Sequence, residues 1–161
     1  KELSRFPCVT QNFEEDVIFG LTESYQLLKK YKKIVFVYVK EKQPKEMLKG
    51  FKKFCKSHNL EYEIISSLVE RDIVKGDAYL IPDDKTLIRL IKSIRDNKFV
   101  LTKDIGIISY NDTLLKEIVE GGITTISTDF NKMGENLAKM VMEKETKKIH
   151  NPCLFIKRNS L

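Results

Sequence analysis

Two polar clusters in this 161-residue chain stand where chemistry is possible. Asp83 and Asp84 follow the apolar run Ala78 to Ile81 across Pro82, and Ser109-Tyr110-Asn111-Asp112 follows Ile105 to Ile108. Short carboxylates and amides suit hydroxyl-bearing ligands, because they accept hydrogen bonds on a stiff side chain and Asn also donates them. Acid–base catalysis is a poorer fit, since Asp83 and Asp84 are sequence neighbours whose side chains diverge. Asp83 and Asp112 also read as helix N-caps, a use that Asp favours strongly and that is compatible with ligand contact. The other reactive types offer less. Cys8, Cys55 and Cys153 are odd in number, far apart and without a Cys-x-x-Cys pair, so they read as reduced, half-buried core residues of a cytosolic protein. Cys55 lies on an apolar helix stripe with no base nearby in sequence, a setting for packing rather than nucleophilic attack. His58 and His150 read as loop residues without zinc spacing, and no metal is expected. Dinucleotide, P-loop and nucleophile-elbow motifs are all absent. No catalytic constellation emerges, and neither enzyme activity nor a cofactor is expected.

The elements that must position these clusters alternate between helical and strand periodicity. Phe13, Val17, Leu21, Tyr25 and Leu28 recur at helical spacing, and Ile34 to Val39 follows as a continuous β-branched and aromatic run. Pro44 opens a helix whose Met47, Leu48, Phe51, Phe54 and Cys55 form one stripe, and Tyr62 to Ile65 supplies a second strand. A third strand, Ala78 to Ile81, stops at Pro82; a helix carrying Leu87, Leu90, Ile91 and Ile94 leads to a fourth at Ile105 to Ile108; Asn111-Asp112 opens a short helix. Apolar strands separated by amphipathic helices predict an α/β fold with a doubly wound parallel sheet, because parallel crossovers place helices on both faces. Ligands in such sheets bind beyond the carboxyl ends of the strands, where both polar clusters fall. The last third departs from this pattern. Ile123 to Ile126 reads as a short extended crossing, and a helix from near Asp129 carries Phe130, Met133, Leu137 and Val141 on one side before a final strand at Cys153 to Lys157. If the compact unit ends by Ile118, that stripe needs a second lobe or a partner chain to cover it.

Composition sets the outer bounds. With 42% hydrophobic and 32% charged residues, 7 Gly and 4 Pro, the chain is neither collagen-like, disordered nor a disulfide scaffold. Its length suits one domain that hides roughly 70% of its extended-chain surface. No apolar run is long enough to span a bilayer, and Lys1 to Arg5 lack the apolar core of a signal peptide. Opening on Lys suggests a piece of a longer protein. The net charge of +6 favours anionic surroundings without specifying them, and Lys29 to Lys33 reads as a solvated helix terminus rather than a nucleic-acid patch.

Five segments in order together resemble the lactose and galactose repressor (LacI/GalR) family. They are Lys45-Glu-Met-Leu-Lys-Gly-Phe51, Leu80-Ile-Pro-Asp-Asp84, Asp104-Ile-Gly-Ile-Ile-Ser-Tyr-Asn-Asp-Thr113, Ile123-Thr-Thr-Ile-Ser-Thr-Asp-Phe130 with Met133-Gly134, and Leu154-Phe-Ile-Lys-Arg158. The resemblance implies the type I periplasmic-binding-protein fold, two α/β lobes joined by three crossings, with a sugar or related small metabolite held between them. On that pattern 1–12 is a remnant of the N-terminal lobe and first crossing, 13–126 the C-terminal lobe, 127–150 a crossing and a helix that packs on the N-terminal lobe, and 151–161 the final strand and tail. It implies ligand contacts at Asn111, where the family places a cleft Asp; at Asp83, a polar cleft position; at Phe130, an aromatic wall; and at Phe13, a second wall. The family's clamping Arg falls on Met47, with Lys45 two residues away, so the ligand need not resemble lactose. The implied protein is a cytoplasmic, homodimeric transcriptional regulator that reaches DNA through an upstream domain, either the family's own or a GntR-type winged helix. The alternatives are a solute-binding protein for transport or chemotaxis and an enzyme on a flavodoxin-like sheet.

Overall fold

The computed structural model describes residues 6–69 and 71–161; the reading of Lys1 to Arg5 lies outside them. In chain order the elements are β1 (Cys8–Thr10), α1 (Phe13–Glu23), α2 (Tyr25–Leu28), β2 (Lys33–Val37), α3 (Lys45–Ser57), β3 (Tyr62–Ile65), β4 (Asp77–Ile81) and α4 (Asp84–Asp96). Then come β5 (Gly106–Tyr110), α5 (Leu114–Ile118), a 3-10 turn at Val119–Gly121, β6 (Thr124–Thr128), α6 (Phe130–Met142), β7 (Lys148–His150) and β8 (Cys153–Ile156). The main sheet has the order β3-β2-β4-β5-β6-β8, parallel throughout except for the antiparallel pairing of β8 with β6. The α/β class and parallel sheet expected from the sequence are therefore present.

Side-chain alternation divides the core between the two faces of this sheet. Ile34 and Phe36 of β2 join Val17 and Leu21 of α1 and Phe51 and Phe54 of α3 on one face. Val35 and Val37, on the opposite side of the same strand, join Leu87, Leu90, Ile91 and Ile94 of α4. Helix α1 can lie this close to its neighbours only because of two glycines. A Cβ at Gly50 of α3 would sit 2.3 Å from the Glu14 carbonyl oxygen, and one at Gly20 would sit 2.2 Å from the Ile126 side chain.

Several sequence expectations need correction. Strand β6, read from the sequence as a short extended crossing, belongs to the main sheet and is buried at every position between β5 and β8. Its Thr-Thr-Ile-Ser-Thr sequence disguised it, because the hydroxyls are satisfied inside the fold; Thr125 Oγ1 donates to Asp112 at 3.1 Å and Ser127 Oγ accepts from the Asp112 N–H. The sheet thus runs past residue 126 and includes 153–156. Asp112 caps nothing; Thr113 is the N-cap of α5, which starts at Leu114. His150 is a strand residue, since β7 pairs in parallel with β1 in a separate two-stranded sheet.

This small sheet and α6 connect to the main sheet through three chain passages that are hydrogen-bonded to one another. Asn151 N–H donates to Thr10 at 2.8 Å, Asp129 N–H to Pro152 at 3.1 Å, and the Asn151 side chain to the Asp129 carbonyl at 2.8 Å. Gln11 donates to the Thr128 hydroxyl. Beyond these passages, Phe130, Leu137 and Val141 of α6 are exposed.

Candidate functional site

At the carboxyl ends of β2, β4 and β5, the loops that follow these strands and the start of α1 enclose a depression of about 260 Å³. Its walls include Phe13, Met47, Asp83, Tyr110 and Asn111, with Lys42, Gln43, Pro44 and Pro82 completing them. Of the six residues singled out in the sequence, four meet here. Lys45 is exposed on the first turn of α3, and Phe130 is exposed on α6; neither lines the depression.

Asp83 reaches this position because Pro82 ends β4 and the carboxylate then caps α4, Oδ1 accepting from the Thr86 N–H at 2.9 Å. A carboxylate has a second oxygen, so the cap leaves acceptor capacity at the depression. Asn111 follows β5 with φ of 57°, a left-handed conformation that Asn tolerates better than most residues. Its N–H donates to the Ile126 carbonyl at 2.8 Å, while its side-chain Oδ1 is buried without a hydrogen-bond partner. A buried amide oxygen without a partner is costly, and only a turn of the side chain into the depression would let a ligand hydroxyl or N–H satisfy it.

The loop that presents Asn111 is held from below by residues that the sequence reading did not identify. Lys116 is almost fully buried, and its Nζ donates to the carbonyls of Tyr110 at 2.8 Å and Asn111 at 2.6 Å while pairing with Asp84 at 3.0 Å. Arg158 grips Asp112 with both terminal guanidinium nitrogens, at 2.6 and 2.8 Å. The Arg158 bond holds the Asp112 carboxyl below the usual carboxylate range, against the opposing effect of its burial. Asp112 is therefore committed to the scaffold, whereas the side-chain oxygen of Asn111 has no partner.

The apolar side is built from Phe13, Pro44, Met47 and Pro82, with Tyr110 beside them. Phe13 and Tyr110 lean together with ring centroids 6.4 Å apart. Met47 is buried and contributes a flexible thioether to this wall. Gln43 is fixed through its side-chain oxygen, which accepts from the Val39 N–H at 2.5 Å, and Lys42 is an exposed cation at the rim. Tyr110 is itself buried, and its hydroxyl donates to Asp16 Oδ2 at 3.1 Å behind the wall. Burial pushes the Asp16 carboxyl up to about 6, although the Tyr110 bond works in the opposite direction. Among the described residues, no group of three or more His, Cys, Asp or Glu side chains could hold a metal, and no helix is long and apolar enough to cross a membrane. An apolar wall beside the Asp83 carboxylate and the Asn111 amide suits a small polyhydroxylated ligand with one apolar face.

Residues 26–154 match the sequence model of the periplasmic binding protein-like domain family. No curated protein matches the chain. Among solved structures, the lactose repressor bound to an anti-inducer is similar over 99% of this chain and 66% of its own, with TM-score 0.79 and 16% identity. A LacI-family regulator from Weissella paramesenteroides with bound sucrose gives TM-score 0.76 at 18% identity, covering 98% of this chain and 65% of its own. One from Enterococcus faecium with bound ribose gives 0.72 at 17%, covering 96% and 65%. The chain spans just under two thirds of the length of these proteins.

Proposed function

The chain belongs to the periplasmic binding protein-like domain family, and from that premise we propose that it is most of the ligand-sensing domain of a transcriptional regulator. The ligand is a sugar or related small metabolite, and the role is binding rather than catalysis. One observation carries this reading: the depression joins an apolar wall to the unpartnered Asn111 oxygen beside three interlinked chain passages. The bound sugars of the similar regulators support the ligand class. In this reading the unit of β1, β7 and α6 belongs to a second lobe, which covers Phe130, Leu137 and Val141 and closes over the ligand. Phe130 then reaches the ligand from the far side. Lobe closure alters the pose of a homodimer, and DNA contacts made by an upstream domain change by linkage in the cytoplasm. Such coupling requires the ligand to prefer one lobe arrangement over the other.

Thermal unfolding of the full-length regulator with ribose, sucrose and cellobiose tests this reading. A ligand at about 100 times its dissociation constant adds about 2.7 kcal/mol of stability. A sugar that raises the melting temperature of the wild type but not of Asn111→Ala supports the proposal. Equal shifts in both proteins refute the site, and the absence of any shift refutes the sugar class.

A further inference from the structure

Asp16 is an anomaly in the fold. It is 6% exposed, sits in the first turn of α1 against the main sheet, and has no ion-pair partner among the described residues. Lys49 and Lys53 of α3 approach Glu14 instead. The ionisable groups that face Asp16 are Glu15 on its own helix, Tyr110 from β5, His150 from β7 and Cys153 from β8. A buried carboxylate adds nothing to an apolar core and costs desolvation. Its side-chain hydrogen bond comes from the hydroxyl of Tyr110, a residue that lines the depression, leans towards Phe13 and precedes the residue with the unpartnered amide oxygen.

Resting on the binding role above, we propose that Asp16 is a positioning residue of the ligand site, fixing Tyr110 through the phenol hydroxyl. An ionised carboxylate accepts a stronger hydrogen bond from a phenol than a protonated one does. Tyr110 is therefore held firmly when Asp16 is charged and loosely when it is neutral. The raised carboxyl places that change near pH 6. Ligand affinity accordingly falls by roughly fivefold as Asp16 takes up its proton.

The test uses wild type, Asp16→Asn and Tyr110→Phe in the full-length regulator. In the unliganded protein, the Asn111 amide and Tyr110 ring resonances of the wild type shift together with a midpoint near the Asp16 titration, and in Asp16→Asn they stay still. Tyr110→Phe, which removes the bond to the carboxylate, moves the titration of Asp16 to higher pH. With ribose, sucrose or cellobiose as the probe, wild-type affinity weakens on acidification, whereas Asp16→Asn binds weakly with a flat profile. A role confined to stability would not produce this split, because Asp16→Asn is expected to melt higher than wild type at neutral pH. Resonances that ignore the Asp16 titration overturn the proposal, as do identical affinity profiles in wild type and Asp16→Asn. If none of these sugars binds any variant, the sugar reading of the site fails, while the resonances still decide whether Asp16 positions Tyr110.

Discussion

Removing the charge of Asp16 should stabilise the protein at neutral pH, an unusual outcome for a substitution at a buried position. Burial lifts the folded-state carboxyl from its ordinary 3.8 to about 6, against the pull of the Tyr110 bond. The folded state therefore keeps a proton that the unfolded chain releases between those values. The resulting stabilisation is fully present below about pH 4 and is lost as pH rises through about 6. A displacement of this size opposes folding by at most about 3 kcal/mol once the carboxylate is charged. A carboxamide in place of the Asp16 carboxylate would retain the shape and an oxygen for Tyr110 without the charge, so Asp16→Asn should gain about 1–3 kcal/mol at pH 7. For a domain of this length that is roughly 2 to 10 °C in melting temperature. The assay is thermal unfolding of both proteins at successive pH values. Their difference should be near zero at about pH 4 and reach a plateau above about pH 7. A gap that is constant with pH, or a variant that melts lower at neutral pH, would refute the reasoning.

Lys116→Met should cost about 2–4 kcal/mol, because it leaves the Tyr110 and Asn111 carbonyls without their donor and removes the partner of Asp84; the denaturant midpoint measures it. Gly50→Ala should destabilise by about 1–3 kcal/mol by forcing α1 off α3, since the added methyl would meet backbone at 2.3 Å. Gly134→Ala is its control: nothing lies within 4 Å of the added atom, so the change should be neutral or stabilising in the same denaturant titration.

How much of this was legible in the sequence depended on how local each cause was. The alternation of Ile34 and Phe36 against Val35 and Val37, and the Asp83 cap, are set within a few residues, and both follow from the pattern alone. Strand β6 did not, because its hydroxyl-rich residues look like an exposed crossing until Asp112 and Ser160 are seen to bond with them. The same blindness hid Lys116, which reads as one more surface lysine on a short helix and is in fact buried against two carbonyls. Asp16 was missed for a similar reason: among Glu14 and Glu15 it looks like ordinary acidic decoration of a helix start. A charged residue on the apolar side of the Phe13, Val17 and Leu21 stripe was the available clue.

The pair Asn111-Asp112 shows why neighbouring polar residues need separate roles in such a site. An acceptor can serve a ligand only if the protein does not already satisfy it, yet a loop without internal bonds could not hold that acceptor in place. Here the two demands fall on adjacent residues. Asp112 receives Arg158 from 46 residues away and Thr125 from β6, while Lys116 holds the consecutive carbonyls of Tyr110 and Asn111. Asn111, with its left-handed backbone, lines the depression and keeps its side-chain oxygen outside this network of bonds. Exchanging the two residues would weaken the scaffold, since a carboxamide in place of the Asp112 carboxylate offers Arg158 one oxygen instead of a bidentate pair. The resulting loop would lose rigidity at the position where the ligand requires it.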